Sequence, residues 1–404
     1  MRFEVMSVPA ALHRRREYAG PALFSYGFRP FFFSAGLWAA ISLPLWLHQF
    51  FGDIVLPTHF APLDWHIHEM LFGYVAAAVA GFLLTAIPNW TGRLPVNGWP
   101  LAGLSALWLA GRVAIFFSAK IGAIPAAVID VSFLLALVAV AAREIIAGKN
   151  WRNLRVLGVL GLLALGNIVF HAEAFAQGAA SYGTRVALGA VILLISLIGG
   201  RIVPSFTNNW LARNNPGRLP SPLSRYDMVA IAGGAIGLLA WVATPTSRIS
   251  GVLLLLAGLL HTGRLARWAG ERTLSNRLVL VLHVAYAFVP LGFLLVGLST
   301  FTPAIPPSCG IHAWAVGAIG LMTLAVMTRA TLGHTGEPLH AGLATQLIYA
   351  LIFVSAILRI IAAFTGSLNL IEAAGACWLS GFVLFLLVYG RLLILRKPAG
   401  ANAR

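Results

Sequence analysis

Residues 63–88 read LDWHIHEMLFGYVAAAVAGFLLTAIP, and they place two histidines and a carboxylate at the start of a long apolar run. After Glu69 no charged residue follows until Arg93. A helix needs about 20 apolar residues to cross the hydrocarbon core of a bilayer. The stretch therefore predicts a membrane-spanning helix that carries His66, His68 and Glu69 at one end, where they could bind a metal.

Apolar runs of this kind recur along the whole chain. Of its 404 residues, 59% are hydrophobic and 10% are charged, whereas soluble domains carry about 25% charged residues. We predict an all-α, polytopic integral membrane protein with about twelve transmembrane helices. The predicted spans are 31–51, 66–88, 100–118, 121–142, 156–177, 185–206, 227–244, 249–268, 277–300, 311–332, 342–364 and 370–392.

The distribution of basic residues predicts the orientation of these spans. If the N-terminus is cytoplasmic, 21 of the 28 lysines and arginines fall on the cytoplasmic side, and three fall opposite (Lys120, Arg185 and Arg248). Cytoplasmic loops of membrane proteins are rich in basic residues. We therefore predict cytoplasmic termini: an N-terminal segment 1–25, a single twelve-helix domain 26–395, and a tail 396–404. The long loop 207–227 could divide six spans from six, as in transporters built from repeats.

Composition and motifs exclude several functions. The net charge of +16 is explained by the basic loops, so we expect membrane lipid, and no nucleic acid, as a partner. Two cysteines are too few for a disulfide framework or a four-thiolate iron–sulfur site. The sequence has no CxxCH, no P-loop and no dinucleotide-binding motif. Electrons must therefore come from outside or from a bound cofactor.

The histidines are the main candidates for a site, because ionisable groups inside a membrane are costly and usually functional. The predicted spans place four of them in one layer near the periplasmic surface: His66, His68, His171 and His312. His261 and His283 lie deeper, and His334 lies at the cytoplasmic end of the tenth span; these three could form a second site. Imidazole binds copper, zinc and haem iron, although a single intramembrane histidine often only bonds neighbouring helices.

His66 and His68 are about 200° apart around a helix, so they cannot both face one metal. One could hold a cofactor while the other orients the segment or faces a second site. Glu69 and Glu173 lie beside histidines and could serve as ligands, proton relays or partners of imidazole. Arg112 and Asp130, in consecutive spans at similar depth, are expected to form a buried ion pair.

Three arginines at helix ends could hold carboxylates such as haem propionates: Arg29, Arg201 and Arg329. Arginine binds carboxylates through two parallel hydrogen bonds. The alternative for each is an anchor at the lipid headgroups.

Six segments together resemble the NnrS family of bacterial membrane proteins, and the resemblance extends from about residue 21 to 364. They are YGFRPFFF (26–33), WHIHEMLFGY (65–74), AGFLLTAIPNWTG (80–92), GNIVFHAEAF (166–175), GGRIVPSFTNNW (199–210) and HAWAVGAIGLMTLAVMTRATLGHTG (312–336). The resemblance implies twelve spans in the bacterial inner (cytoplasmic) membrane, bound haem (b-type), copper, and a role in denitrification or nitric oxide stress resistance.

These expectations lead to one main functional hypothesis and two alternatives. The main hypothesis is a redox protein that binds and reduces nitric oxide at a haem or haem–copper site, with quinol or a periplasmic carrier as the external electron donor. His68, His171 and His312 are the first choices for metal contact, followed by His66, and Glu69 or Glu173 would end a proton path. The alternatives are a twelve-span transporter or metal-handling permease, and a haem-based sensor or scavenger of nitric oxide without turnover.

Overall fold

The computed structural model describes residues 18–396, and every regular element in that range is helical. Twelve of the helices are long and apolar enough to span a membrane. They are α1 Phe28–Phe50, α2 Pro62–Thr91, α3 Gly98–Phe116, α4 Ala123–Ala147, α5 Trp151–Gln177, α6 Tyr182–Asn214, α7 Arg225–Ala243, α8 Arg248–Ala266, α9 Arg277–Ser299, α10 Pro307–Thr335, α11 Leu343–Thr365 and α12 Leu368–Ile394. The all-α class and the twelve spans are confirmed.

The orientation of the termini stays a prediction. Of the predicted terminal segments, residues 1–17 and 397–404 lie outside the part of the chain that the structure describes.

The helices pack mainly on their neighbours in the chain, and α1 packs on α12 to close the bundle. One contiguous apolar core draws buried residues from all twelve helices. The most buried spans are α2, α6, α9 and α10. Three of them, α2, α6 and α10, are also the longest helices, at 30, 33 and 29 residues, and we call these three the central helices. The division of six spans from six stays a prediction.

Each of the three central helices contains a π-helical segment: Glu69–Val75 in α2, Ile195–Gly199 in α6 and Ala313–Gly320 in α10. A π-helical turn inserts a residue and shifts the hydrogen-bonding pattern, so its carbonyls need other donors inside a membrane. Trp108 Nε1 donates to Gly73 O at 3.0 Å, and Arg264 Nη1 donates to Ser196 O at 2.8 Å. Side chains from α3 and α8 therefore stabilise the irregular backbone of α2 and α6.

Two features differ from the predicted boundaries. Residues 207–214 continue α6 instead of beginning the loop 207–227, and Thr207 is fully buried, where its hydroxyl donates to Val203 O at 2.8 Å. Arg264, one of the 21 basic residues assigned to the cytoplasmic side, is fully buried within α8 and pairs with Asp227. Hydropathy misses both because it does not register polar partners: Thr207 bonds Val203 O in α6 and His283 of α9, and Arg264 pairs with Asp227 of α7.

Close packing of α5 on α6 depends on glycine. A Cβ added at Gly166 would lie 2.9 Å from the backbone nitrogen of Ala187, whereas one added at Gly161 of the same helix would meet nothing within 4 Å. We expect Gly166→Ala to destabilise the protein by about 1–3 kcal/mol, since backbone atoms must move apart. Thermal unfolding in detergent would measure this effect, and Gly161→Ala is the matched control. Equal stability of the two variants would contradict the prediction.

Candidate metal-binding sites

A buried polar cluster joins α2, α3, α4 and α5. We call it the Asp130 cluster, and it consists of His68, Glu69, Arg112, Asp130, Asn167 and His171. Arg112 Nη1 donates to both carboxylate oxygens of Glu69, at 2.8 and 2.7 Å, and its Nη2 donates to Asp130 Oδ1. The predicted pairing of Arg112 with Asp130 is confirmed, and Glu69 joins it as a second acid.

The second carboxylate oxygen of Asp130 contacts Asn167, His171 and His68, the remaining members of the Asp130 cluster. Asn167 Nδ2 donates to Asp130 Oδ2 at 2.8 Å, and His171 Nε2 lies 3.1 Å from the same oxygen. His68 Nε2 lies 3.2 Å from it, while His68 Nδ1 contacts Glu69 Oε1 at 2.9 Å. Among the residues described, His68, Asp130 and His171 are the one group of three whose ligand atoms lie close enough to share a metal ion.

The charges of the Asp130 cluster do not cancel. Counted with both carboxylates ionised and both imidazoles neutral, the cluster carries one net negative charge, and Asp130, Glu69 and Arg112 are almost completely buried. Buried charges persist in membranes when they are paired or coordinate metals. A proton on one imidazole or a bound cation would complete the pairing, so the cluster has the composition of a cation site.

The second site is a cavity of about 390 Å³ between α1, α2, α6, α10, α11 and α12, which we call the His66–His312 cavity. Its lining is mostly apolar, and its polar members include His66, His312 and Arg359. Tyr74 and Trp378 also line it. The volume lies in the range of about 300–1,000 Å³ that is usual for ligand pockets. The cavity can therefore hold a sizeable apolar group with polar contacts at a few points.

The two histidines of the cavity are held in defined orientations. His312 Nδ1 donates to Ser308 O at 2.7 Å, which leaves its Nε2 as the nitrogen with a free lone pair. The ring of His66 stacks on Trp46 with centroids 4.0 Å apart. The Nδ1 atom of His66 is buried without a hydrogen-bond partner among residues 18–396. A buried imidazole nitrogen without a protein partner is available to bind a ligand.

The structure thus sorts the four histidines of the predicted periplasmic layer into two pairs. His68 and His171 meet in the Asp130 cluster, and His66 and His312 share the cavity. His66 and His68 have different neighbours, as their angular separation on α2 requires.

The other three candidate histidines have separate neighbours. His261 Nδ1 bonds the hydroxyl of Tyr286 at 2.8 Å, and that hydroxyl also accepts from Arg264. His283 Nε2 bonds Thr207 Oγ1 at 2.8 Å. The ring of His334 packs near the rings of Tyr26 and Phe28. Each of these three histidines contacts different aromatic or hydroxyl groups. A metal site shared by His261, His283 and His334 stays a prediction.

The three arginines proposed for haem propionates have protein partners. Arg29 Nη1 donates to the carbonyls of Leu392, Leu393 and Leu395 at the end of α12, at 2.9 to 3.1 Å. Arg201 Nη1 donates to Asn153 Oδ1 at 2.8 Å, and the guanidinium of Arg329 lies 4.0 Å above the ring of Phe206. By contrast, Arg359 of α11 lines the His66–His312 cavity. Arg359 is not among the site residues that the sequence predicts. It is one of four arginines that lie within or beside the predicted spans.

Glu173 has a structural role in addition to the proton-relay role predicted for it. Its carboxylate accepts from the backbone amides of Ser181, Tyr182 and Gly183 at 3.1, 2.9 and 2.7 Å. These amides lie at the N-terminus of α6, where helix N–H groups lack partners within the helix. Glu173 therefore caps α6 from the end of α5.

We expect Glu173→Ala to lower the free energy of unfolding by about 1–2 kcal/mol, as the loss of a helix cap does, with the metal content unchanged. Glu372→Ala is the control, because Glu372 lies on the exposed surface of α12. Thermal unfolding and metal analysis of the same samples would check both parts. Loss of bound metal at normal stability would contradict the capping role.

Twelve membrane-spanning helices with buried histidine sites define a polytopic membrane protein with a metal-capable centre. The profile of the family described as NnrS protein matches residues 22–397, nearly the whole chain, so this protein belongs to the NnrS family. The family resemblance drawn from the sequence motifs is thereby confirmed. A comparison with curated proteins finds no significant match.

Proposed function

We propose that this protein binds haem and copper in the bacterial inner membrane and that it binds and reduces nitric oxide with electrons from an external donor. The observation that carries the proposal is the His66–His312 cavity, where imidazoles from α2 and α10 face one apolar space beside Arg359. The family membership supports the same reading.

The cavity fits haem in three respects. Haem iron is commonly held by histidine nitrogen, and His312 offers Nε2 because its Nδ1 is fixed by Ser308 O. The apolar walls suit the macrocycle. The propionates are carboxylates that arginine can bind through two parallel hydrogen bonds, and Arg359 is the cationic residue on the wall. His66, His312 and Arg359 would therefore hold the group.

The Asp130 cluster fits a copper ion less simply. Its two imidazoles are suitable ligands for copper, and its net negative charge favours a cation. However, Arg112 already donates to Asp130 and Glu69. We assign His68 and His171 as the copper-binding residues, and we assign Glu69 and Arg112 the task of orienting them.

Bound haem and copper would supply a nitric oxide binding position and electron transfer. The chain supplies the surroundings. Apolar walls exclude water, and a small apolar gas can reach them from the lipid. Reduction of two nitric oxide molecules to nitrous oxide and water consumes two electrons and two protons. Glu69 and Asp130 both contact the candidate ligands, and Glu69 would hold such a proton. Quinol or a periplasmic carrier would be the electron donor.

Visible spectroscopy of the purified protein would test this function. Reduced-minus-oxidised spectra would be recorded with and without nitric oxide, with haem and copper analysis on the same sample. We expect haem bands, bound copper and a nitric oxide-induced shift that decays when reductant is supplied. A persistent shift would favour a sensor or scavenger. Well-folded protein without haem or copper would refute the proposal and favour a permease.

A further inference from the structure

A second, smaller cavity of about 80 Å³ lies where the three central helices meet. Its lining includes Val75 at the end of the π-helical segment of α2, Ile195 and Gly199 in that of α6, and Ile319 in that of α10. π-helical turns occur frequently at functional sites. Three of them around one cavity mark this place as more than a packing defect.

The walls of the small cavity are almost entirely apolar. Thr323 is the one lining residue with a hydrogen-bonding side chain. Its hydroxyl is already engaged, since it bonds Ile319 O at 2.8 Å and the hydroxyl of Tyr74. A water molecule needs two to four polar partners, whereas an apolar cavity stays dry and can bind benzene or xenon. The small cavity is therefore unsuited to water and suited to an apolar guest.

Its size limits the guest. An engineered cavity that binds benzene measures about 150 Å³, and this cavity has about half that volume. It is partly open and is large enough for a diatomic molecule or a xenon atom. Several lining side chains of α2 and α6 are only partly buried, namely Val79, Phe82, Ile198 and Ile202. These residues lie within membrane spans, where a gas dissolved in lipid would meet them.

The small cavity shares a wall with the His66–His312 cavity. Val75 and Ile319 line both. Tyr74 lines the larger cavity and Thr323 the smaller, and their hydroxyls are hydrogen-bonded to each other. Val75 and Ile319 therefore form a wall that the two spaces have in common.

We propose that the small cavity is a binding site for a small apolar gas of the class to which nitric oxide belongs, and that gas passes from it to the His66–His312 cavity across the Val75–Ile319 wall. The proposal of gas binding depends only on the small cavity and does not require bound haem. The passage to the larger cavity rests on the proposed haem site. Filling the small cavity should therefore slow the arrival of gas at the haem.

Xenon is the probe for the binding step, and it requires no bound haem. The full-length protein in detergent would be studied by xenon NMR and by crystallography under xenon pressure. We expect one xenon atom in contact with Val75, Ile195 and Ile319. Ile198→Phe should abolish this site, and Leu239→Phe on the exposed surface of α7 should leave it occupied. Absence of xenon from the cavity of the unsubstituted protein would overturn the proposal, whether or not the protein holds haem.

Gas rebinding to the haem protein tests the passage. After photolysis of a carbon monoxide complex, the second-order rebinding rate should fall roughly tenfold in Ile198→Phe, which corresponds to about 1.4 kcal/mol of barrier. Val75→Ala should raise the rate, and Leu239→Phe should match the unsubstituted protein. Unchanged rates in Ile198→Phe and Val75→Ala would overturn the passage. Xenon binding in a protein that lacks haem would refute the proposed function and support the gas site.

Discussion

Replacing Arg112 by methionine should destabilise the protein by about 3–5 kcal/mol, the usual cost of breaking a buried ion pair. Arg112 is 2% exposed, and it is the cation that donates to both Glu69 and Asp130. Methionine fills much of the same space but leaves two carboxylates without compensation inside a membrane span. The expected loss of stability therefore results from the two unpaired carboxylates rather than from a packing defect.

Thermal or denaturant unfolding in detergent would measure the loss, and Arg143→Met is the matched control. Arg143 also pairs with a glutamate, Glu144, at 2.8 Å, but its side chain is 65% exposed. Exposed pairs contribute about 0–1 kcal/mol, so Arg143→Met should have little effect. Equal stabilities of the two variants would show that the Asp130 cluster is not a buried ion network.

A second substitution separates charge from packing. Glu69→Gln in the Arg112→Met background removes one of the two unpaired charges, so the double variant should be more stable than Arg112→Met alone. In the presence of Arg112, the same Glu69→Gln change should be destabilising. Such a change of sign is the coupling expected of residues in one network. A Glu69→Gln effect that is the same in both backgrounds would contradict the charge explanation.

The number and position of the helices could be predicted because each span must satisfy its own backbone and face lipid or other helices with apolar side chains. That requirement concerns each segment by itself and is visible in hydropathy. The π-helical segments, by contrast, depend on partners from other parts of the chain. The backbone of α2 can depart from α-geometry at Gly73 because Trp108 of α3 donates to the freed carbonyl. The contact joins residues 35 positions apart in the chain, so the sequence around Gly73 does not predict it.

The candidate sites show the same limit. The pairing of Arg112 with Asp130 could be predicted because both lie in neighbouring spans at similar depth. The separation of His66 from His68 follows from the helical angle. What could not be predicted is the choice of partners, such as His66 with His312 and Arg359. One available signal was overlooked: Asn167 and His171 are four residues apart, so they share one face of α5, and both contact Asp130.

Substitution of either cavity histidine should nearly abolish haem binding. We expect His66→Ala and His312→Ala to reduce the haem-to-protein ratio at least about tenfold, since loss of roughly 1.4 kcal/mol of binding already costs tenfold in affinity. His48→Ala on α1 is the control, because His48 is 63% exposed and pairs with Asp53. Haem analysis of purified, monodisperse protein would measure the ratio.

Two further readouts distinguish ligation from general damage to the fold. Removing the imidazole of His66 or His312 enlarges the cavity, so added free imidazole should restore haem binding to the alanine variants if the lost group was a ligand. His283→Ala, which removes a histidine bonded to Thr207 outside this cavity, should lose stability without losing haem selectively. Full haem content in both His66→Ala and His312→Ala would exclude the cavity as the haem site. Loss in only one variant would identify that histidine as the one that holds haem.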